Sequence, residues 1–146
     1  MKGQAMFGTI VVGVDGSGHA DHAVQAAAKI AAETGDKVVV FHGVVVHQAK
    51  GSPFTTESRD EAQHLVDGCV ARLSEAGISA TGEIHRELEI GIGGALIDVA
   101  QSHQAGLIVI GTRGRSDIVS MLLGSVAHEA VHKSPLPVLV VPEKTD

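Results

Sequence analysis

The sequence predicts an α/β fold, an open parallel sheet with helices on both faces, and three observations support this. Short β-branched runs such as TIVVGV carry apolar residues at consecutive positions, as strands covered on both faces do. Between these runs lie stretches with apolar residues at three- and four-residue steps, the mark of helices with one buried stripe. The two patterns alternate, β-α-β-α-β-α-β-α-β, and strands joined through helices run parallel with right-handed crossovers. No composition shift, repeat or low-complexity segment divides the 146 residues, which read as one domain over 1–146.

The first strand runs from Thr9 to Val14. A helix over Ala20 to Thr34 follows, with Ala23, Val24, Ala27, Ile30 and Ala31 on one stripe and Gly35 as its stop. Val38 to Val46 is the second strand. His47 to Glu57, punctuated by Gly51 and Pro53, reads as irregular and is long enough to be mobile or to cover a ligand. Ser58 to Ala76 places Leu65, Val66, Cys69, Val70 and Leu73 on a second helical stripe. Ser79 to Leu88 is more polar and partly alternating, which suits an edge strand. Gly94 to His103 is helical, Leu107 to Ile110 is a strand, and Ser125 to Lys133 is a helix closed by Ser134 and Pro135. The last strand, Val138 to Val141, is short and apolar and belongs at a sheet edge. An unguarded edge there invites pairing with another chain.

Composition narrows the function classes. Eleven basic against 17 acidic residues leave a formal charge of −6, which argues against a general nucleic-acid or anionic-membrane binder. A single cysteine excludes an intramolecular disulfide and suits a reducing compartment. No apolar run approaches the roughly 20 residues of a bilayer span, and no secretory signal is visible, so a cytoplasmic location is expected. Without Trp or Tyr and with three Phe, the core must be aliphatic.

In open parallel sheets, ligands sit beyond the carboxyl ends of the strands, where the strand order reverses. Four loops reach that crevice: Asp15 to Gly18, Gly43 to Glu57, Leu88 to Gly94, and Gly111 to Gly124. The last carries the sharpest signal. It reads Gly111-Thr-Arg-Gly114, then nine residues, then Gly124-Ser125, between an apolar strand and a helix. Gly111 and Gly114 permit positive φ and close backbone approach to an anion. Gly124 and Ser125 open the next helix, whose free N–H groups and macrodipole favour phosphate. Arg113 and Arg115 make the spot locally basic. A bare G-x-x-G is ordinary loop punctuation, whereas the full G-x-x-G-x9-G-S/T pattern in this position points to phosphate.

This spacing resembles the nucleotide-binding motif of the universal stress protein family, in its ATP-binding branch. TIVVGVDGS, GLIVIGTRG and GSVAHEAVHKSPLPVLVVP carry the resemblance across nearly the whole chain. It implies an adenine nucleotide α-hydrolase-like fold, a five-stranded parallel sheet ordered 3-2-1-4-5. It also implies that Val14 and Asp15 meet the nucleoside, Asp15 at the ribose hydroxyls, while the Gly43 backbone reads the adenine edge. Gly111, Arg113, Gly114, Gly124, Ser125 and Val126 would hold the phosphates of ATP, ADP or AMP, with Mg²⁺ or Mn²⁺ bridging phosphate oxygens, and Ile110 would belong to the same nucleotide-binding set. The final strand would pair with its copy in a homodimer. Read from the residues alone, Asp15 is equally well a turn or N-cap carboxylate. Two positions depart from the family pattern: Gly106 replaces a common Asp in a turn, and Gly43 replaces a larger apolar residue that would wall the adenine pocket.

Other signals are weaker. His128-Glu129-Ala130-Val131-His132 matches the H-E-x-x-H pattern of zinc hydrolases, but Pro135 and Val138 stand where an extended zinc motif needs Gly and His. Gly91-Ile-Gly93-Gly94-Ala-Leu96 lacks the third glycine of a dinucleotide fingerprint and reads as a tight turn leading into a helix. There is no G-x4-G-K-S/T loop and no local signature of a nucleophilic triad. Cys69 belongs to a core stripe, and His19 and His22 read as surface residues. The expectation is therefore an ATP-binding regulatory module, not an enzyme beyond slow hydrolysis, with no protein-held metal. Its competitors are a nucleotide-free interaction protein of the same fold and, far behind, a zinc hydrolase.

Overall fold

The computed structural model describes residues 4–112 and 123–142. The elements in chain order are β1 (Thr9–Val14), α1 (Gly18–Thr34), β2 (Lys37–Ala49), β3 (Ser52–Phe54), α2 (Arg59–Glu75), β4 (Ala80–Leu88), a 3-10 turn (Glu89–Gly91), α3 (Ile92–Ser102), β5 (Leu107–Gly111), α4 (Ser125–Lys133) and β6 (Val138–Val141). β4, β2, β1, β5 and β6 lie side by side and all pair parallel. Counted without the short β3, this is the expected 3-2-1-4-5 order, with its reversal between β1 and β5. β4 and β6 are the edges.

Consecutive residues of β1 feed opposite faces. Ile10, Val12 and Val14 pack with α1 and α2 residues Ala23, Ala27, Val66, Cys69 and Leu73. Val11 joins Val39, Phe41, Ile108 and the α3 residues Leu96, Val99 and Ala100 on the other face. Apart from Phe41 and Cys69 both layers are aliphatic, and each buried Val, Leu, Ile or Phe side chain contributes about 1.5–3 kcal/mol. Among the described residues, no helix is long and apolar enough to cross a membrane.

Helix boundaries follow local chemistry. Ser17 caps α1 by accepting the Ala20 N–H at 3.2 Å, and Gly35 closes it in the left-handed conformation with φ 80°. Ser58 and Glu61 form a reciprocal capping box at the start of α2. α3 begins at Ile92, ahead of the expected Gly94, because the 3-10 turn runs directly into it.

Two sequence expectations are corrected. The segment 47–57 is not irregular throughout: β2 continues to Ala49 and turns back through Lys50-Gly51 into β3, with His47 opposite Phe54. Gly51 accepts the turn at φ 96°, and the His47 ring stacks on Phe54 at 5.4 Å. The sheet therefore has six strands, one of them antiparallel. Gly106 is more than a turn substitution. A Cβ there would stand 2.5 Å from the Phe7 carbonyl oxygen, so the close backbone approach excludes Asp. The local carboxylate is supplied instead by buried Asp36, which accepts the N–H groups of Phe7 and Gly8 and the Thr34 hydroxyl.

Candidate functional site

The carboxyl ends of β1, β2 and β5 and the start of α4 surround a cavity of about 450 Å³. It lies at the reversal of strand order, where topology places ligand sites in open α/β sheets. Of the residues singled out in the sequence, Val14, Asp15, Gly43, Ile110, Gly111, Gly124, Ser125 and Val126 all line it. Arg113 and Gly114 lie outside the described residues.

Asp15 follows β1 directly. One oxygen, Oδ1, accepts the Ser17 N–H at 2.9 Å across Gly16, whose φ of 85° permits the turn. The turn-carboxylate role is therefore real. It uses one oxygen only, and Oδ2 has no partner among the described residues.

The described ends of the two glycine segments meet. The Gly124 N–H donates to the Thr112 carbonyl at 2.6 Å, bringing the end of β5 to the start of α4. Positive φ plays no part at either described glycine of the motif. Gly111 ends β5 opposite Val141 and is not among the left-handed glycines, and Gly124 sits at φ −69°, ψ 167°. The donors at this end of the cavity come from α4. Unlike α1 and α2, α4 has no side-chain cap, and its first intrahelical bond is His128 N–H to Gly124 O at 2.8 Å. The N–H groups of Ser125, Val126 and Ala127 thus have no intrahelical partner and none among the described residues, and they lie at the positive end of a helix on residues that line the cavity.

The opposite wall is apolar: Phe41, Val45, Ile92, Leu96 and Ile110. The missing side chain of Gly43 is compensated here. Its Cβ would meet Ile92 Cγ2 at 2.8 Å, so Ile92 fills the space that a larger residue would have taken. The glycine opens the wall only as far as Ile92 allows.

Sequence reasoning missed His42. It sits inside an apolar run of β2, is 2% exposed, and its ring lies between Val14 O (Nδ1, 2.7 Å) and the Glu57 carboxylate (Nε2, 2.8 and 2.9 Å). A polar residue at a fully buried strand position is the signal that could have found it. Three carboxylates line the cavity, on Asp15, Glu57 and Glu89, with no Lys or Arg among the described lining residues.

The H-E-x-x-H segment lies on α4. Its two imidazoles sit 4.3 Å apart, centroid to centroid, and Glu129 turns toward Gly93 and toward Lys133 at 3.4 Å. No group of three or more His, Cys, Asp or Glu arranged to hold a metal ion occurs among the described residues. Cys69 is buried in the α2 stripe.

A mostly parallel open sheet with helices on both faces and a cavity at its switch point defines a small α/β domain of the Rossmann-like kind. The match to the family model confirms the kinship: residues 6–142 fit the universal stress protein family, and the chain belongs to it. A universal stress protein of Thermus aquaticus is 32% identical over 141 residues, covering 93% of this chain and 99% of the relative. The solved structure of hypothetical protein MJ0577 superposes with a TM-score of 0.79 at 19% identity, over 97% of this chain and all of that one. A universal stress protein solved in complex with cAMP superposes at 0.72 with 25% identity, over 96% and 100% of the two chains.

Proposed function

We propose that the protein is an adenine-nucleotide-binding regulatory module, taking ATP, ADP or AMP in the 450 Å³ cavity and hydrolysing ATP slowly at most. The observation that carries this reading is the convergence of uncapped α4 amides with the carboxylate of Asp15 on one cavity. These groups suit the two polar ends of a nucleotide: donors for phosphate, an acceptor for ribose. The Gly43 backbone and the apolar wall suit the base between them. The cAMP complex of a relative supports the same ligand class.

The charge of the cavity bears on how a polyphosphate arrives. With Asp15, Glu57 and Glu89 on its lining, a bare triphosphate is repelled, and an Mg²⁺ or Mn²⁺ complex carries less charge. Such an ion is held by phosphate oxygens. Slow chemistry follows from the wall: both nitrogens of its buried histidine, His42, are engaged, so that imidazole does not activate water. The free edge of β6 suits pairing with a second copy, and a soluble cytoplasmic homodimer completes the proposal.

Denaturing the purified protein and chromatographing the supernatant should release an adenine nucleotide, or titration with Mg-ATP should give a saturable heat signal. If both fail, the reading is wrong, and a nucleotide-free interaction role takes its place.

A further inference from the structure

His42 bridges two parts of the cavity wall that lie far apart in the chain, since its partners are Val14, 28 positions before it, and Glu57, 15 positions after it. Val14 O can only accept, so Nδ1 carries a proton. Both oxygens of Glu57 face Nε2, so a second proton lies between that nitrogen and the carboxylate. The pair is an imidazolium with a carboxylate, or an imidazole with a carboxylic acid. Either form is neutral overall, and either completes the bridge.

Both ends of the bridge are held in place. Val14 lies opposite His42 in the β1–β2 register and directly precedes Asp15. Glu57 is gripped by its neighbours: the Thr55 hydroxyl donates to its carbonyl at 2.9 Å, and Ser58 caps α2. His42 itself is 2% exposed and on a central strand, so it cannot relax toward solvent. Removing either partner of a group this buried leaves a polar atom that water cannot reach, so both bonds hold it in place.

We infer that His42 is a positioning residue for the nucleotide site. It fixes the peptide that presents Asp15 on one side, and on the other it clasps the 55–57 segment, whose Thr56 and Glu57 line the cavity, against the ligand. This rests on the nucleotide reading and adds a division of labour to it. The Val14 arm sets how well ribose hydroxyls are recognised. The Glu57 arm sets how long any nucleotide stays.

The test compares AMP with 2′,3′-dideoxy-AMP by calorimetry and stopped-flow displacement, on the full chain. His42→Ala should reduce the preference for AMP over the dideoxy ligand at least fivefold. Glu57→Ala should speed dissociation of both ligands about tenfold and leave the preference intact, with Glu57→Gln recovering most of that loss through its amide. A mere loss of stability would move both ligands alike in both variants, and that result overturns the inference, as does no change in either. Should His42→Ala not fold, the Glu57 pair still decides the second arm. Failure of the unaltered protein to bind AMP strikes the nucleotide reading first, whereas binding with unaltered selectivity and off-rates in the variants strikes the positioning role alone.

Discussion

The main-chain N–H of Gly124 meets the carbonyl of Thr112 at 2.6 Å, while the Thr112 N–H donates to Val141 at 3.1 Å. The ends of β5 and β6 and the start of α4 are therefore tied at one point. Whatever path the chain takes between Thr112 and Leu123, it leaves from and returns to the rim of the cavity. The proposed phosphate seat rests on that tie.

Gly124→Asp should separate folding from binding. The backbone at 124 suits any L residue, and Asp is a favoured N-cap, so the substitution should hold or raise thermal stability. The new carboxylate would take the amides that a phosphate needs and repel its charge. Nucleotide affinity should fall at least roughly thirtyfold, by calorimetry, while the melting temperature holds. Unaltered affinity would mean that the phosphate lies elsewhere.

Gly43 and Ile92 should behave as one unit. Gly43→Val forces the Ile92 side chain, 2.8 Å from the new Cβ, off its position and into the cavity. The expected result is about 1–3 kcal/mol of lost stability and weaker nucleotide binding. Adding Ile92→Ala should restore much of the binding, because the two side chains compete for one volume. Additive losses in the double variant would show that they do not.

What could be read in advance follows a physical divide. The parallel sheet with two core layers was visible because Ile10, Val11 and Val12 are apolar in succession, as in a strand covered on both faces, whereas the strand order came from the family resemblance. The loops at the strand ends followed from topology and glycine spacing, and the individual residues placed there from the family resemblance. Three things were not visible. The β2–β3 hairpin hides in a segment containing Pro53, where three residues of pairing leave almost no pattern. The Ile92 contact depends on how far α3 extends toward its N-terminus, and Gly93-Gly94 argued for a later start. His42 was invisible as a functional group because its partners are a carbonyl 28 residues away and a carboxylate 15 residues away, which no local motif encodes.

Asp36 should matter for stability alone. It holds the Phe7 and Gly8 amides and the Thr34 hydroxyl at the end of the sheet away from the cavity. Asp36→Ala takes the acceptor from the partly buried Phe7 and Gly8 amides, while the Thr34 hydroxyl keeps the Ile30 carbonyl at 2.9 Å, at a cost of about 1–2 kcal/mol and a melting temperature lower by roughly 5 °C. Nucleotide affinity should stay within about twofold, and a larger loss would show the two ends of the sheet to be coupled.

Glu83 predicts the acid limb of the stability curve. The hydrogen bond from His103 at 2.7 Å, and then that from His85, hold its carboxyl below the usual carboxylate range. A carboxyl depressed in the folded state adds stability above its unfolded value, and that stability drains away as pH falls through the folded one. The group is about one-third exposed, so the effect is a few tenths of a kcal/mol in ordinary salt. Denaturant melts of Glu83→Gln should show a shallower loss between about pH 5 and pH 3 than the unaltered protein, converging with it at the acid end. Parallel curves would mean that the cluster contributes nothing.

The free edge of β6 carries the last prediction. β6 pairs with β5 alone, through Ile108–Val138 to Gly111–Val141, and its other edge is bare among the described residues. Leu139 is 38% exposed at its centre, an apolar side chain on an unpaired edge, which aggregates unless another strand covers it. In an antiparallel pairing of two copies centred there, Leu139 would face its counterpart. Leu139→Lys would then set two like charges against each other across about 5 Å. Sedimentation at micromolar concentration should give a dimer for the unaltered protein and a dissociation constant at least tenfold weaker for the variant. Nucleotide binding should survive, because Leu139 does not line the cavity. A monomer in the unaltered protein would leave the edge to a different partner and remove the homodimer from the proposal.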